Sequence, residues 1–120
     1  MRLALALVLA AGPALACGPD GAWRGAAGGV AAALVAEPAV RVSEPFALAI
    51  ALCGDGAPKL LRVDAGMPAH RHGMNYRPTL SAVGPGAWRA EGMVFHMPGL
   101  WEVRLEIEGG PAVRVPMTVR

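Results

Sequence analysis

Large side chains are scarce. Three Trp, two Phe and one Tyr make up 5% of the 120 residues, so a core has to be built around a handful of anchors. Charge is scarce as well: charged residues are 17% of the chain, with 11 Lys+Arg against 9 Asp+Glu and a formal net charge of +2. That balance excludes a disordered polyelectrolyte and leaves no basic excess of the kind that nucleic-acid binding needs. Amphipathic helix is missing too. From Cys17 onward no window of about eleven residues carries apolar positions at i, i+3, i+4 and i+7 without a Pro or several Gly interrupting it. No internal repeat is visible, and the length fits one domain.

Catalytic signatures are absent in the same way. Asp64 and Glu91, the acidic residues near the histidines, are far apart in sequence and show no pairing pattern for acid–base work. Ser43 and Ser81 lack the context of an activated nucleophile, and neither cysteine stands beside a histidine in sequence. The Gly-rich stretches do not precede helices, which removes phosphate-cradling loops. The chain therefore reads as a protein that is not an enzyme.

The one long apolar run sits at the extreme N-terminus. Met1-Arg2 supplies a positive start, Leu3 to Ala11 is apolar, Gly12-Pro13 breaks the run, and Ala14-Leu15-Ala16 places small residues where a signal peptidase reads them. This stretch is shorter than the ~20 residues that a membrane span requires, so no transmembrane span is expected. Residues 1–16 are expected to be a signal peptide, 17–29 a lead-in segment that runs over the surface until Trp23, its large anchor, finds a pocket, and 30–120 the domain proper. The protein is then periplasmic or otherwise exported.

Cys17 has two readings. It would be a lipid-anchored N-terminus after cleavage, although Ala14 stands where a lipoprotein signal usually carries a large aliphatic residue. Otherwise it would bridge Cys53, the only other cysteine, as an oxidising compartment permits. A disulfide over that separation would stabilise the domain by on the order of 3–4 kcal/mol in the chain-entropy account.

What the domain does contain is alternation. Val30 to Val35 and Val40-Arg41-Val42 read as strands around a Glu37-Pro38 turn, and Phe46, Leu48, Ile50 and Leu52 alternate with Ala47, Ala49 and Ala51. Leu60 to Ala65 is a further strand that ends at Gly66. Trp101, Val103, Leu105 and Ile107 face one way against Glu102, Arg104 and Glu106, and Val113, Val115, Met117 and Val119 repeat the pattern after Gly109-Gly110, which marks a terminal hairpin. Seven or eight short strands with frequent turns predict an all-β, immunoglobulin-like antiparallel β-sandwich, anchored by Trp23, Phe46, Trp88 and Trp101.

Metal-ligating side chains gather in one window. All three histidines, His70, His72 and His96, and four of the six methionines, Met67, Met74, Met93 and Met97, lie between positions 67 and 97. In an extended chain His70 and His72 project to the same side, with Met67 and Met74 bracketing them and Gly73 permitting a bend. His96 offers a third imidazole, and Met97 would face away from it on a regular strand. Imidazole and thioether without thiolate suit copper, as Cu(I) or Cu(II), with zinc the alternative if the three histidines act alone. A shared ion bound at about 2 Å would need the imidazoles within about 4–5 Å of one another. The bland reading makes Met67, Met93 and Met97 core filler and the histidines ordinary loop residues.

The string Asp64-Ala-Gly-Met-Pro-Ala-His-Arg-His-Gly-Met-Asn-Tyr76, followed by Gly86-Ala-Trp-Arg-Ala-Glu-Gly-Met-Val-Phe-His-Met-Pro-Gly-Leu-Trp-Glu-Val103, resembles the YtkA-like domain family, small exported β-sandwich proteins related to FixH-like domains. The resemblance covers roughly 44–120. It implies an immunoglobulin-like fold and a role outside the cytoplasm, with links to copper handling or respiratory-oxidase assembly, and its motif positions are Met67, His70, His72, Met74, His96 and Met97. Unlike FixH-like members, this chain is not expected to keep a transmembrane anchor once the leader is removed.

Two functions follow as expectations. One is a periplasmic copper carrier or chaperone that uses the His/Met set and hands its ion to a protein partner such as a copper-accepting oxidase or an envelope protein. The other is a metal-free interaction module in respiratory-complex or envelope assembly, in which the Met-Pro-x-His-x-His-Gly-Met loop packs on a partner.

Overall fold

Alternation becomes burial in the C-terminal strands: Val113, Val115, Met117 and Val119 are buried while Arg114, Pro116 and Thr118 are exposed. The same inward and outward alternation sorts the rest of the chain into two antiparallel sheets. The structure, a computed structural model, describes residues 17–120; the expected signal peptide at 1–16 lies outside the described residues. Among the described residues there are nine strands, β1 (Trp23–Ala27), β2 (Val30–Glu37), β3 (Phe46–Cys53), β4 (Leu60–Met67), β5 (His72–Gly73), β6 (Thr79–Gly84), β7 (Ala87–Met93), β8 (Gly99–Ile107) and β9 (Val113–Val119). One sheet runs β1-β2-β3-β7-β6 and the other β5-β4-β8-β9. The all-β sandwich expected from the sequence is thus the architecture observed. Among the described residues no helix is long and apolar enough to cross a membrane.

Three local expectations are corrected. The lead-in segment does not simply run over the surface: β1 pairs with β2 from Trp23↔Leu34 to Ala27↔Val30. Gly28 and Gly29, at φ 56° and 78°, make the two-residue turn whose left-handed geometry suits a tight hairpin. Val40-Arg41-Val42 is not a strand. It lies between Pro38, which follows a cis peptide bond, and Pro45; Ser43, at φ 64°, donates its N–H to the Phe95 carbonyl at 2.8 Å. Finally, β4 continues through Gly66 to Met67 instead of stopping.

The core lies between the sheets. Leu34, Leu48, Met93, Phe95, Trp101, Val103, Leu105 and Met117 are fully enclosed, and Trp23 and Trp88 pack against this mass while remaining partly exposed. Of the four anchors expected, Phe46 and Trp101 are therefore central and the other two peripheral. One flank is closed by direct backbone approach of β1 to β9. A Cβ on Gly25 would stand 2.1 Å from the Arg114 carbonyl oxygen, so only glycine permits that distance.

The outward-facing alanines of β2 and β3, Ala31, Ala33 and Ala51, have a separate use. Cys17 is disulfide-bonded to Cys53, and it is buried against Ala31 and Ala33 on the outer face of the first sheet. A Cβ on Gly18 would come within 2.5 Å of the Ala33 Cβ, which shows how closely the segment after Cys17 lies on the sheet. The Arg24 guanidinium secures it by donating to the carbonyls of Cys17 and Pro19. Large side chains at these outward positions would leave no room for this strap.

Candidate metal centre

With β1 and β9 closing one flank, β5 and β6 are the sheet edges on the other, and the histidines collect there. β4 turns into β5 through the four residues Pro68–Arg71. The His70 N–H donates to the Met67 carbonyl at 3.2 Å, and Arg71 at φ 52° completes the reversal. Met67 then pairs with His72 and Gly66 with Gly73. The expectation of an extended His70-Arg71-His72 run is corrected: those residues form the end of a hairpin, because Pro68 and a left-handed Arg71 turn the chain within four residues. Residues directly opposite across an antiparallel ladder share a face, so Met67 and His72 share one.

The second half of the site leaves β7 at Met93 and becomes irregular. Phe95 is enclosed and stacks on Trp101, with ring centroids 4.5 Å apart and planes 10° from parallel. His96 meets the same indole edge-on, at 5.3 Å and 81°. Trp101 Nε1 donates to the Met97 carbonyl at 2.9 Å. A single buried tryptophan therefore fixes three successive residues, and His96 is directed outward without strand geometry. Sequence reading placed Trp101 in the core but missed this second role. Phe95, absent from the expected anchors, was missed altogether. The signal available for both was the close spacing of Phe95, His96 and Trp101.

The imidazoles form a line. His70 and His72 have ring centroids 6.2 Å apart and His72 and His96 6.0 Å apart. Together with Trp101, Phe95 and Phe46, whose ring lies 5.0 Å from that of Phe95, they make a continuous file of six rings from core to surface. His72 is the shared neighbour in the outer part. These separations are wider than the 4–5 Å expected of three imidazoles converging on one ion. Among the described residues, no set of three His, Cys, Asp or Glu side chains comes together closely enough to hold a metal.

The methionines are layered beneath. Met67 is 2% exposed and Met93 fully enclosed, while Met74 and Met97 are half-buried and pack on the core. His70 and His72 are exposed and His96 half-buried. Met67 and His72 both line a groove of about 290 Å³ that also takes in Asp64, Glu102, Arg104 and Arg114. The charged walls are partly neutralised by Arg114–Glu102 at 2.8 Å and Arg62–Asp64 at 3.4 Å. Both are exposed pairs, worth at most about 1 kcal/mol each. Room for Met67 is provided by Gly99, where a Cβ would stand 2.9 Å from the Met67 Cε.

No family model, curated protein or solved structure matches the chain.

Proposed function

We propose that this is an exported copper carrier of the YtkA-like kind, which binds its ion at the open corner of an immunoglobulin-like sandwich and gives it up to a protein partner, such as a copper-accepting oxidase or an envelope protein. The observation that carries the reading is the file of His70, His72 and His96 at that corner, each ring within about 6 Å of the next, with the Met67 thioether on the same face as His72. Imidazole with thioether is a copper donor set. Exposure of two of the three histidines suits a carrier rather than a catalyst, because an ion that must be handed on needs donors a partner can reach.

Export is supported by the Cys17–Cys53 bridge, since disulfides persist in oxidising compartments. The bridge uses the same sulfur that a lipid anchor at Cys17 would need, so it favours a free protein in the periplasm over a lipoprotein.

The test is a competitive titration of the purified protein with Cu(I), Cu(II) and Zn(II) in separate runs, beside a His70→Ala/His72→Ala variant. One equivalent of copper bound more tightly than micromolar, and lost in the variant, is the expected result. No binding of any of the three ions would sink the carrier reading. It would leave the metal-free interaction module, which the exposure of Tyr76 (64%) and Leu100 (50%) favours.

A further inference from the structure

The spacing of the rings bears on which ion this corner would take. An imidazole nitrogen about 2 Å from an ion puts its ring centroid about 3.2 Å from that ion. Two rings on one tetrahedral ion therefore have centroids about 5 Å apart, and two rings on a straight nitrogen–ion–nitrogen line about 6.3 Å apart. His72 and His96 stand at 6.0 Å, near the straight limit. The His96 ring is packed edge-on against the enclosed Trp101. The following residue is tied to the same indole through the Met97 carbonyl.

Ions differ sharply in what they accept. Zn(II) asks for about four donors at tetrahedral angles. Cu(II) prefers a square array of nitrogen and oxygen. Neither finds that here, for no third His, Cys, Asp or Glu joins the pair among the described residues. Cu(I) is content with two donors in line or three in a plane, and it favours thioether sulfur. A thioether is the donor in reach: Met67 shares a face with His72 in register, and its Cε extends toward Gly99, three residues beyond His96.

We propose that the cargo is carried in the cuprous state, held by His72 and His96 at an open angle and capped by the Met67 sulfur, with His70 outside the set as the imidazole that first meets or last releases the ion. This rests on the carrier reading and narrows it to one oxidation state. Burial of Met67 gives the selectivity a physical basis. Met67 belongs to the hydrophobic core and is 2% exposed, away from water, where a soft ion loses little by shedding its hydration and a doubly charged hard ion loses much.

The experiment is anaerobic titration of the purified, disulfide-intact protein with Cu(I) against a chromogenic Cu(I) chelator, with parallel Zn(II) and Cu(II) titrations and X-ray absorption on the Cu(I) form. The expected result is Cu(I) held at least about 100-fold more tightly than Zn(II), with a first shell of two nitrogens and one sulfur. Met67→Leu, which conserves core volume, is expected to cut the Cu(I)-over-Zn(II) preference about tenfold. The absorption measurement needs no variant, so a folding failure of Met67→Leu would not spare the proposal. Equal or tighter binding of Zn(II) or Cu(II), or a Cu(I) shell without sulfur, overturns the cuprous assignment and leaves a metal carrier. Failure of all three ions to bind overturns both.

Discussion

Met67 and His72 stand directly opposite one another across the β4–β5 ladder, one nearly enclosed and the other exposed. The pair joins the core to the corner of the sandwich: the thioether belongs to the hydrophobic mass, and the imidazole belongs to the line of rings that leads into solvent. The ladder fixes both backbones, so the loop that carries His70 starts and ends on this pair.

Gly99→Ala tests the space that Met67 occupies. Gly99 has φ 126°, and an added Cβ would stand 2.9 Å from the Met67 Cε, so the substitution combines backbone strain with a displaced side chain. A loss of about 1–3 kcal/mol in chemical denaturation is expected, together with a shift of the Met67 methyl resonance. An unchanged methyl signal would show that Met67 does not depend on this glycine.

Trp101→Phe tests the support under His96. The variant keeps a ring to stack on Phe95 but removes the Nε1 donor from the Met97 carbonyl and leaves a void in an enclosed site. Denaturation should show a cost of about 2–4 kcal/mol. His96 should also lose its fixed orientation, seen as averaged ring signals. Retention of a single sharp His96 environment would mean that the indole does not position it.

Much of this architecture was legible beforehand, and the exceptions have physical causes. The β8–β9 hairpin was plain because large apolar residues alternate with charged ones. β1 was missed because Arg24, Gly25, Ala26 and Ala27 offer no β-branched pattern. Gly25 is there for the close approach to Arg114, a tertiary requirement. β5 has two residues and no periodicity to detect. At the site, the residue types and their clustering were readable, but the hairpin at Pro68–Arg71 and the line of rings were not. They depend on a left-handed Arg71 and on Trp101 acting from another strand.

The Cys17–Cys53 bridge makes a prediction independent of metal. Replacing both cysteines with serine should lower stability by about 3–4 kcal/mol, because the strap after Cys17 is held on the first sheet chiefly by the bridge and Arg24. Intact mass of the wild-type protein should be two hydrogens below the reduced value and carry no acyl group. An acyl mass on Cys17 would replace the bridge with a lipid anchor.

The histidine series tests the order of the line. If His72 and His96 hold the ion and His70 lies outside, His72→Ala and His96→Ala should each weaken Cu(I) binding by about 100-fold or more, a cost of about 2.7 kcal/mol. His70→Ala should change equilibrium affinity by less than about tenfold while slowing metal transfer to a competing chelator. His72 is the imidazole with another imidazole on either side, at 6.2 and 6.0 Å, so its removal leaves no adjacent pair of histidines. Removal of His70 leaves the His72–His96 pair and the Met67 cap untouched. A larger equilibrium loss for His70→Ala than for His96→Ala would move the ion outward to the His70–His72 pair. Selectivity would then no longer draw on the Trp101-supported ring.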